Sequence, residues 1–156
     1  MNIKDAMSCF TTGVTVVTAH TQGLDWGMTC NSFNTVSLDP AMVLWSVRKT
    51  SASHEAFVTA GGYMINVLGA QQKDVALNFA QGTQAERFAD QHLVRGVNQH
   101  PRLEGVIAWF DCRIAQVVSA GDHDILIGEV LDFGVHAGHG LAYAQRSFGV
   151  LASLED

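Results

Sequence analysis

The heptapeptide at residues 27–33 (G-M-T-C-N-S-F) combines a glycine with small and hydrogen-bonding residues. Glycine allows another group to approach the backbone closely, because it carries no Cβ atom. A flat heterocycle with several acceptors along its edge could lie against such a strand, held by backbone N–H groups and by the side chains of Asn31 and Ser32. The pattern is also typical of a polar strand edge that leads into a turn, and the heptapeptide alone favours that simpler interpretation.

A second segment, residues 46–53 (S-V-R-K-T-S-A-S), places the adjacent cations Arg48 and Lys49 among four hydroxyl side chains. A phosphate dianion binds well to such a mixture of positive charge and O–H and N–H donors at the start of a helix. A solvated strand end with hydroxyl N-caps explains the segment equally well. Because the two segments lie on consecutive predicted strands, a ring-binding element and a phosphate-binding element could share one site.

Other nucleotide-binding and catalytic motifs do not occur in the sequence. The tripeptide Gly138-His139-Gly140 lacks the third glycine and the following helix of a dinucleotide-binding fingerprint, and there is neither a P-loop nor a G-x-S-x-G elbow. His136 and His139 have no nearby acidic or thiol partners, so we predict no metal site. These observations disfavour a nicotinamide enzyme built on a doubly wound sheet.

The elements that must position these residues are mostly strands. Runs of β-branched and apolar residues between turn residues predict strands at residues 14–18, 27–33, 42–47, 63–68, 106–119 and 124–133. Helices are predicted at residues 53–60 and 70–81, and turns at Asp39-Pro40 and at residues 120–122. The polar segment 81–105 is predicted to be a loop with one helical turn near residues 86–89.

In this pattern strands dominate, helices are short and no β-α-β alternation runs through the chain. It is typical of a mainly β fold, an antiparallel barrel with short helical inserts. A β-sandwich is the competing architecture, and periodicity alone does not exclude it. The sequence has only two prolines and no Ser/Gly-rich linker, so residues 1–156 are expected to form a single domain.

The composition argues against nucleic acids and membranes as partners. The net charge is −6, with only 9 Lys and Arg and no basic run, which argues against a nucleic-acid partner. No apolar run approaches the roughly 20 residues of a membrane helix. The first ten residues carry no signal-peptide block, so we expect a cytoplasmic protein without a membrane partner.

The apolar content and the cysteines lead to two further expectations. Hydrophobic residues make up 47% and charged residues 15% of the chain, which predicts a subunit interface and hence a homo-oligomer. A monomer with a large core is the alternative. Cys9, Cys30 and Cys112 show no C-x-x-C spacing, so reduced and mostly buried thiols are expected.

Four segments follow one another in a specific order: F-T-T-G-V-T-V-V-T at residues 10–18, the heptapeptide at 27–33, V-S-L-D-P at 36–40 and G-D-H at 121–123. Together they resemble the flavin reductase family, whose members serve as reductase components of two-component monooxygenases. The resemblance extends from about Met7 to Leu151. It implies a Greek-key split β-barrel, usually a homodimer, with FMN or FAD in a groove near the subunit interface. It also implies hydride transfer from NADH or NADPH to the flavin, for use by an oxygenase component.

The resemblance implies roles for particular residues. The expected flavin-binding residues are Thr29, Cys30, Asn31 and Ser32 along the isoalloxazine ring, Ser46, Val47, Arg48, Lys49, Ser51 and Ser53 at the ribityl chain and phosphate, and Phe79 and Ala80 at the border. Family members often have alanine where this chain has Cys30, a small apolar exchange that should preserve the site. Phe148 matches an aromatic position of the family and could pack on the site, although a core role is favoured.

His123 is the residue that the resemblance places beside the nicotinamide nucleotide, next to the flavin. A solvent-facing turn histidine is the alternative. Its neighbours Asp122 and Asp124 are expected to favour the protonated imidazole, which could hydrogen-bond the phosphates or ribose of the nucleotide.

Other functions stay open at the level of the sequence. A split-barrel enzyme could keep FMN bound and reduce another acceptor, such as a metal-containing cofactor, or act as a related oxidase. A non-catalytic protein could store or sense flavin. The chain shows no obvious acid–base pair, but hydride transfer requires few protein side chains because the flavin supplies the reactive centre.

Overall fold

The computed structural model describes residues 1–154. The strands are β1 (Thr12–Gly13), β2 (Thr15–Thr21), β3 (Leu24–Cys30), β4 (Asn34–Leu38), β5 (Ala41–Arg48), β6 (Gly62–Val67), β7 (Leu93–Arg95), β8 (Pro101–Leu103), β9 (Ala108–Ala120), β10 (His123–Val135), β11 (Leu141–Ala144) and β12 (Ser147–Val150). The helices are α1 (Ile3–Ser8), α2 (His54–Thr59), α3 (Lys73–Asn78) and α4 (Gln84–Phe88). Within the described residues, no helix is long and apolar enough to cross a membrane.

Alternate residues of β5 form part of the hydrophobic core. Its residues alternate between exposed or half-buried positions and buried ones, and Val43, Trp45 and Val47 are the buried set. Because successive side chains of a strand point to opposite faces, these three lie together on the inner face of the sheet. Trp45 packs edge-on against Phe57 of α2, with ring centroids 4.8 Å apart, and against Tyr63 of β6 at 6.0 Å. α2 therefore covers this core.

Seven strands form one antiparallel sheet in the order β3-β2-β6-β9-β10-β5-β4. The longest strands, β9 and β10, pair with two register irregularities between Ile127 and Asp132, which bend the hairpin. The edge strands β3 and β4 follow each other in the chain. Between them, Ser32 Oγ accepts from the Ser46 N–H of β5 (3.0 Å) and donates to the Ser46 carbonyl (3.1 Å). The sheet thus curls into a barrel that is split between β3 and β4.

This mainly β, antiparallel architecture with short helices confirms the predicted fold class. The competing sandwich is wrong, because the core strands belong to one seven-stranded sheet and the other described strands form only a three-stranded sheet, β1-β11-β12, and the pair β7-β8. β6 lies between β2 and β9, and β5 lies beside β10. Strands that are distant in sequence are therefore neighbours, as Greek-key connections require.

A second apolar cluster covers the outer face of β2. Val17 and Ala19 face the inner core, whereas Val14 and Val16 face this second cluster, so the strand is buried on both sides. Its other buried members are Leu68, Ala76, Phe79, Leu103, Val106 and Leu141. The cluster brings α3, β8 and β11 against the barrel, and these additions carry part of the site described below.

In the segment 81–105, α4 confirms the helical turn predicted near residues 86–89 but begins two residues earlier, whereas the prediction of a loop is wrong for the β7–β8 hairpin. The segment contains α4, which begins with a capping box in which Thr83 Oγ1 accepts from the Glu86 N–H and the Glu86 carboxylate accepts from the Thr83 N–H. It also contains the β7–β8 hairpin, held by a bond from the Leu103 N–H to Asn66 Oδ1 (2.8 Å). That partner is far away in the sequence, so local polarity did not reveal the hairpin. The helix predicted at residues 70–81 is present but shorter.

The three cysteines are free thiols with different exposures. Cys112 is buried and Cys30 is half-buried, whereas Cys9 is exposed. The expectation of burial is therefore wrong for Cys9, which follows α1 and whose Sγ donates to the Asp5 carbonyl (3.4 Å).

Candidate active site

A cleft of about 440 Å³ opens where β3, the connection from β5 to α2 and the start of α4 meet. We call it the hydroxyl cleft. Its lining consists of Trp26, Met28, Thr29, Ser51, Ala52, Ser53, Phe79, Ala80, Gly82, Thr83, Gln84 and Arg87. The fold thus brings together five residues that the sequence analysis expected at the flavin, namely Thr29, Ser51, Ser53, Phe79 and Ala80.

A second cleft of about 400 Å³ adjoins the first and shares Thr29 and Ala80 with it. We call it the aromatic cleft, because Tyr143 and Phe148 line it with their ring centroids 5.1 Å apart. The remaining lining residues are Val14, Cys30, Asn31, Ala76, Leu77 and Arg146. Phe148 is half-buried, and it both lines this cleft and packs against the second apolar cluster. The end of β3 therefore stands between two neighbouring concave surfaces.

Gly27 and Thr29 attach β3 to α3. Thr29 Oγ1 donates to the Ala76 carbonyl (2.6 Å), and the Thr29 N–H donates to the Phe79 carbonyl (3.2 Å). A Cβ atom at Gly27 would lie only 2.6 Å from the Phe79 ring. Gly27 therefore makes room for an aromatic ring of the protein, whereas the sequence analysis had connected it with a ligand.

Cys30 presents a neutral thiol at the aromatic cleft. Its Sγ lies 3.1 Å from Thr15 Oγ1, and burial raises the pKa of the thiol. The neighbouring Asn31 is exposed, so its amide is accessible at the mouth of the cleft. Cys30 thus supplies a small, weakly polar surface at this cleft.

Gln84 and Arg87 of α4 add polar groups that the sequence analysis missed. Gln84 Oε1 accepts from the Gly27 N–H (2.9 Å), and Gln84 Nε2 donates to Ser53 Oγ (3.1 Å). Arg87 donates to the carbonyls of Gly27 (2.8 Å) and Gln81 (2.9 Å), and burial lowers the pKa of its guanidinium. The signal that could have located both residues is the T-Q-A-E capping box at the start of α4.

The residues of the predicted phosphate-binding segment 46–53 lie in different environments in the structure. Val47 is fully buried in the core, so only its backbone is left for the predicted contact with flavin. Lys49 Nζ donates to Ser119 Oγ (2.6 Å) and to the Gly121 carbonyl (2.9 Å), so its ammonium group fastens the β9–β10 hairpin and does not line the hydroxyl cleft. Arg48 is exposed at the end of β5, opposite His123 in the strand ladder.

Ser32 and Ser46 also differ from the expectation. Their mutual hydrogen bonds tie the connection between β3 and β4 to β5, as described above. Among the residues that the structure describes, those lining the two clefts do not include either serine. Their hydrogen bonds therefore stabilise the barrel beside the two clefts.

His123 lies at the tip of the β9–β10 hairpin, with its side chain 37% exposed. Its Nδ1 is 2.7 Å from Asp122 Oδ1, and the hydrogen bond and positive charge of His123 lower the pKa of Asp122. In the part of the chain that the structure describes, His123 lines neither cleft. It stands beside the exposed Arg48, so two cationic or donor side chains face solvent at this edge.

The expectation that two carboxylates flank the His123 imidazole is wrong. Asp124 Oδ2 instead lies 2.6 Å from Nε2 of His54, the first residue of α2. Asp124 follows His123 in β10, and successive side chains of a strand point to opposite faces. Asp124 therefore ties the start of α2 to the hairpin and leaves Asp122 as the carboxylate that faces His123.

Comparison with known proteins connects this geometry with a family. The model of the flavin reductase like domain matches residues 7–152. The chain belongs to this family. The reductase component of flavin-dependent trigonelline monooxygenase from Acinetobacter baylyi is 45% identical over 147 residues, which cover 94% of this chain and 47% of that protein. The FMN reductase (NADH) SmoA of Agrobacterium fabrum is 42% identical over 148 residues, which cover 95% of this chain and 84% of that protein.

Solved structures of flavin reductases have the same fold. The NADH:FAD oxidoreductase of Streptomyces globisporus superimposes with a TM-score of 0.92 at 32% identity, over 99% of this chain and 88% of that one. The flavin reductase of styrene monooxygenase from Pseudomonas putida gives 0.87 at 28% identity, over 99% of this chain and 100% of that one. These similarities confirm the antiparallel split barrel. The chain spans about half the length of two of its curated relatives, 47% in each case.

Proposed function

We propose that this member of the flavin reductase family transfers a hydride from NADH or NADPH to FMN or FAD and supplies the reduced flavin to a partner monooxygenase. The observation that carries the proposal is the pair of adjoining clefts that meet at Thr29 and Ala80, since one offers donors for a phosphate and ribityl chain and the other offers surfaces for planar rings. Relatives described as an FMN reductase (NADH) and as an NADH:FAD oxidoreductase support this choice of substrates.

The donor set of the hydroxyl cleft fits the phosphate and ribityl groups of a flavin. Ser51 and Ser53 offer hydroxyls, and Arg87 brings a guanidinium whose geometry suits phosphate oxygens. Arg48 adds an exposed cation at the end of β5, before the two serines. The volumes of the two clefts, about 440 and 400 Å³, lie within the range of roughly 300–1,000 Å³ for small-molecule sites.

The wall formed by Thr29, Cys30 and Asn31 fits the isoalloxazine ring. Its methyl and thiol groups are apolar, and the Asn31 amide can both donate and accept at the ring edge. Tyr143 and Phe148 offer flat surfaces on the same aromatic cleft, where a nicotinamide could stack. A bound flavin would supply the hydride acceptor, so the task of the protein would be to hold the reacting atoms of the two rings about 3–3.5 Å apart and to exclude water.

His123 is proposed to contact the phosphates or ribose of the nicotinamide nucleotide. Its exposed imidazole and the adjacent Arg48 form a donor pair at the hairpin tip. Lys49 holds that tip in place through Gly121 and Ser119. His123 would therefore act in binding, without a proton transfer of its own.

We also propose that the protein is a homodimer. Phe133 and Val135 of β10 are 67% and 80% exposed and lie on one face as alternate residues, and Leu131, 45% exposed, lies just before them at the register irregularity. They form an apolar stripe that a second copy would cover. Light scattering at micromolar concentration should give the mass of a dimer, and a fully active monomer would contradict the proposal.

Oxidation of NADH or NADPH by the purified protein tests the activity. Loss of nicotinamide absorbance should occur only when FMN or FAD is present, since the protein itself provides no hydride acceptor. The matched control is the same mixture without flavin. A protein that binds flavin but shows no turnover with any pairing of the two nucleotides and two flavins would exclude the reductase.

A further inference from the structure

Ser53 occupies the N-cap position of α2, but its hydroxyl does not cap the helix. Ser53 precedes α2, where a serine ordinarily accepts a hydrogen bond from a helix N–H, but its side chain makes no such bond. Its Oγ instead accepts from Gln84 Nε2 (3.1 Å), and Ser51 Oγ accepts from the Ser53 N–H (3.2 Å). Within residues 1–154, neither hydroxyl donates its hydrogen to a protein acceptor.

Gly27 fixes the orientation of the Gln84 amide. A backbone N–H can only donate, so the Gln84 atom 2.9 Å from the Gly27 nitrogen is the oxygen. The other end of the amide is therefore the NH₂ group, which can only donate, and Ser53 Oγ must accept from it. A serine hydroxyl has a single hydrogen, and this hydrogen is left for the hydroxyl cleft, which Ser53 lines although it is only 5% exposed.

We propose that Gln84 is a positioning residue that holds Ser53 as a hydrogen-bond donor toward the flavin phosphate, so that the site prefers phosphorylated flavin to riboflavin. This inference rests on the proposed function, because it takes the ligand of the hydroxyl cleft to be a flavin. Ser51 is held as a donor by the same logic, through the Ser53 N–H. Two hydroxyls that are held as donors favour the binding of an anionic acceptor, and a phosphate presents several negatively charged oxygens that accept hydrogen bonds.

The substitution Gln84→Glu converts one hydrogen-bond donor of the side chain into an acceptor. It keeps the side-chain length and the oxygen that accepts from the Gly27 N–H, but it replaces the NH₂ donor by an acceptor. The Ser53 hydroxyl then donates to the new carboxylate and is lost to the ligand. In fluorescence titrations, the Kd of FMN should rise about tenfold or more, as expected for a lost hydrogen bond to a charged group, whereas the Kd of riboflavin should change less than about twofold.

The matched control is Ala85→Glu, which adds the same charge at the next, exposed position of α4, outside the lining of the hydroxyl cleft. It should raise the Kd of FMN by less than about threefold, because exposed charges are screened. An effect of Gln84→Glu no larger than that of Ala85→Glu would overturn the inference. Equal losses for FMN and riboflavin would do the same, since they would indicate a merely structural role.

Ser53→Ala shows whether Gln84 acts through this serine. Ser53→Ala should itself weaken the binding of FMN more than the binding of riboflavin. Gln84→Glu added to Ser53→Ala should reduce FMN affinity no further than Ala85→Glu does. A full additional loss, or an unchanged ratio of FMN to riboflavin affinity in Ser53→Ala, contradicts the inference even if Gln84→Glu fails to fold. A wild-type protein that binds no flavin would instead overturn the proposed function, and the inference with it.

Discussion

Replacing Gly27 by alanine perturbs the contact that holds β3 against α3 and α4. The added Cβ would lie 2.6 and 2.8 Å from two carbons of the Phe79 ring and 2.9 Å from the Phe88 ring. Phe79 is fully buried and packs edge-on against Phe88, with centroids 5.1 Å apart, so neither ring can yield without displacing its helix. Overpacking of this kind costs roughly 1–3 kcal/mol, a large part of the stability of a small domain.

The same displacement should impair ligand binding. The Gly27 N–H and carbonyl are bonded to Gln84 and Arg87, so a shift of β3 relative to α4 moves polar groups of the hydroxyl cleft. We expect FMN affinity to fall about tenfold, which corresponds to about 1.4 kcal/mol. Urea unfolding followed by tryptophan fluorescence measures the stability, and FMN titration of the folded variant measures the binding.

Gly13→Ala is the matched control. Gly13 lies in β1, and a Cβ atom there would have no neighbour within 4 Å. This variant should be as stable as the wild type or slightly more stable, because alanine restricts the unfolded chain by about 0.4–1 kcal/mol. A Gly27→Ala protein with unchanged stability and unchanged FMN affinity would refute the packing argument. Unchanged stability with lost FMN affinity would show that Gly27 makes room for the ligand instead.

Three further outcomes can be measured. His123→Ala should raise the apparent KM for NADH about tenfold and leave the flavin Kd nearly unchanged; the opposite pattern would place His123 on the flavin. Arg48→Ala should weaken FMN by about 1.5–3 kcal/mol while riboflavin is nearly indifferent, and equal losses would show that Arg48 does not contact the phosphate. Burial, assisted by the charge of His20, lowers the pKa of His100 from 6.5 to about 4. Between these values the unfolded chain binds a proton that the folded protein does not bind, so the free energy of unfolding should fall as the pH falls from about 6.5 to about 4. His100→Gln should flatten this part of a pH series of urea unfolding curves, and an unchanged slope would contradict the assignment.

The main strands of the barrel could be predicted because their signals are local. The alternation in β5 and the β-branched run in β2 appear within a few residues, and each strand lies close to its predicted position. The β7–β8 hairpin was missed, and α4 was predicted only as a single turn, because their supporting contacts come from distant parts of the chain. The Leu103 N–H bonds to Asn66, and α4 packs on β3 through Gln84 and Arg87, so a local reading of this polar segment predicted a loop.

The predicted hydroxyls and the polar end of β3 do lie in one site, since Thr29, Ser51 and Ser53 line the same cleft. This could be anticipated because the two segments lie on consecutive predicted strands, although the structure inserts β4 between them. The groups that orient them could not be anticipated. Gln84 and Arg87 come from a helix about thirty residues further along the chain, and only folding places them beside these hydroxyls.

The sequence by itself determined the fold class and the ordered motifs of the family, because strand periodicity and motif order are properties of the chain that need no partner. Only the tertiary structure decided which of two neighbouring residues packs inside the protein and which faces solvent near the site. In β5 and β10, Val47 faces the core and Asp124 pairs with His54, whereas Arg48 and His123 face solvent. The pleat of each strand sends successive side chains to opposite faces. Which face becomes core and which becomes site depends on the strands and helices that pack on it from elsewhere in the chain.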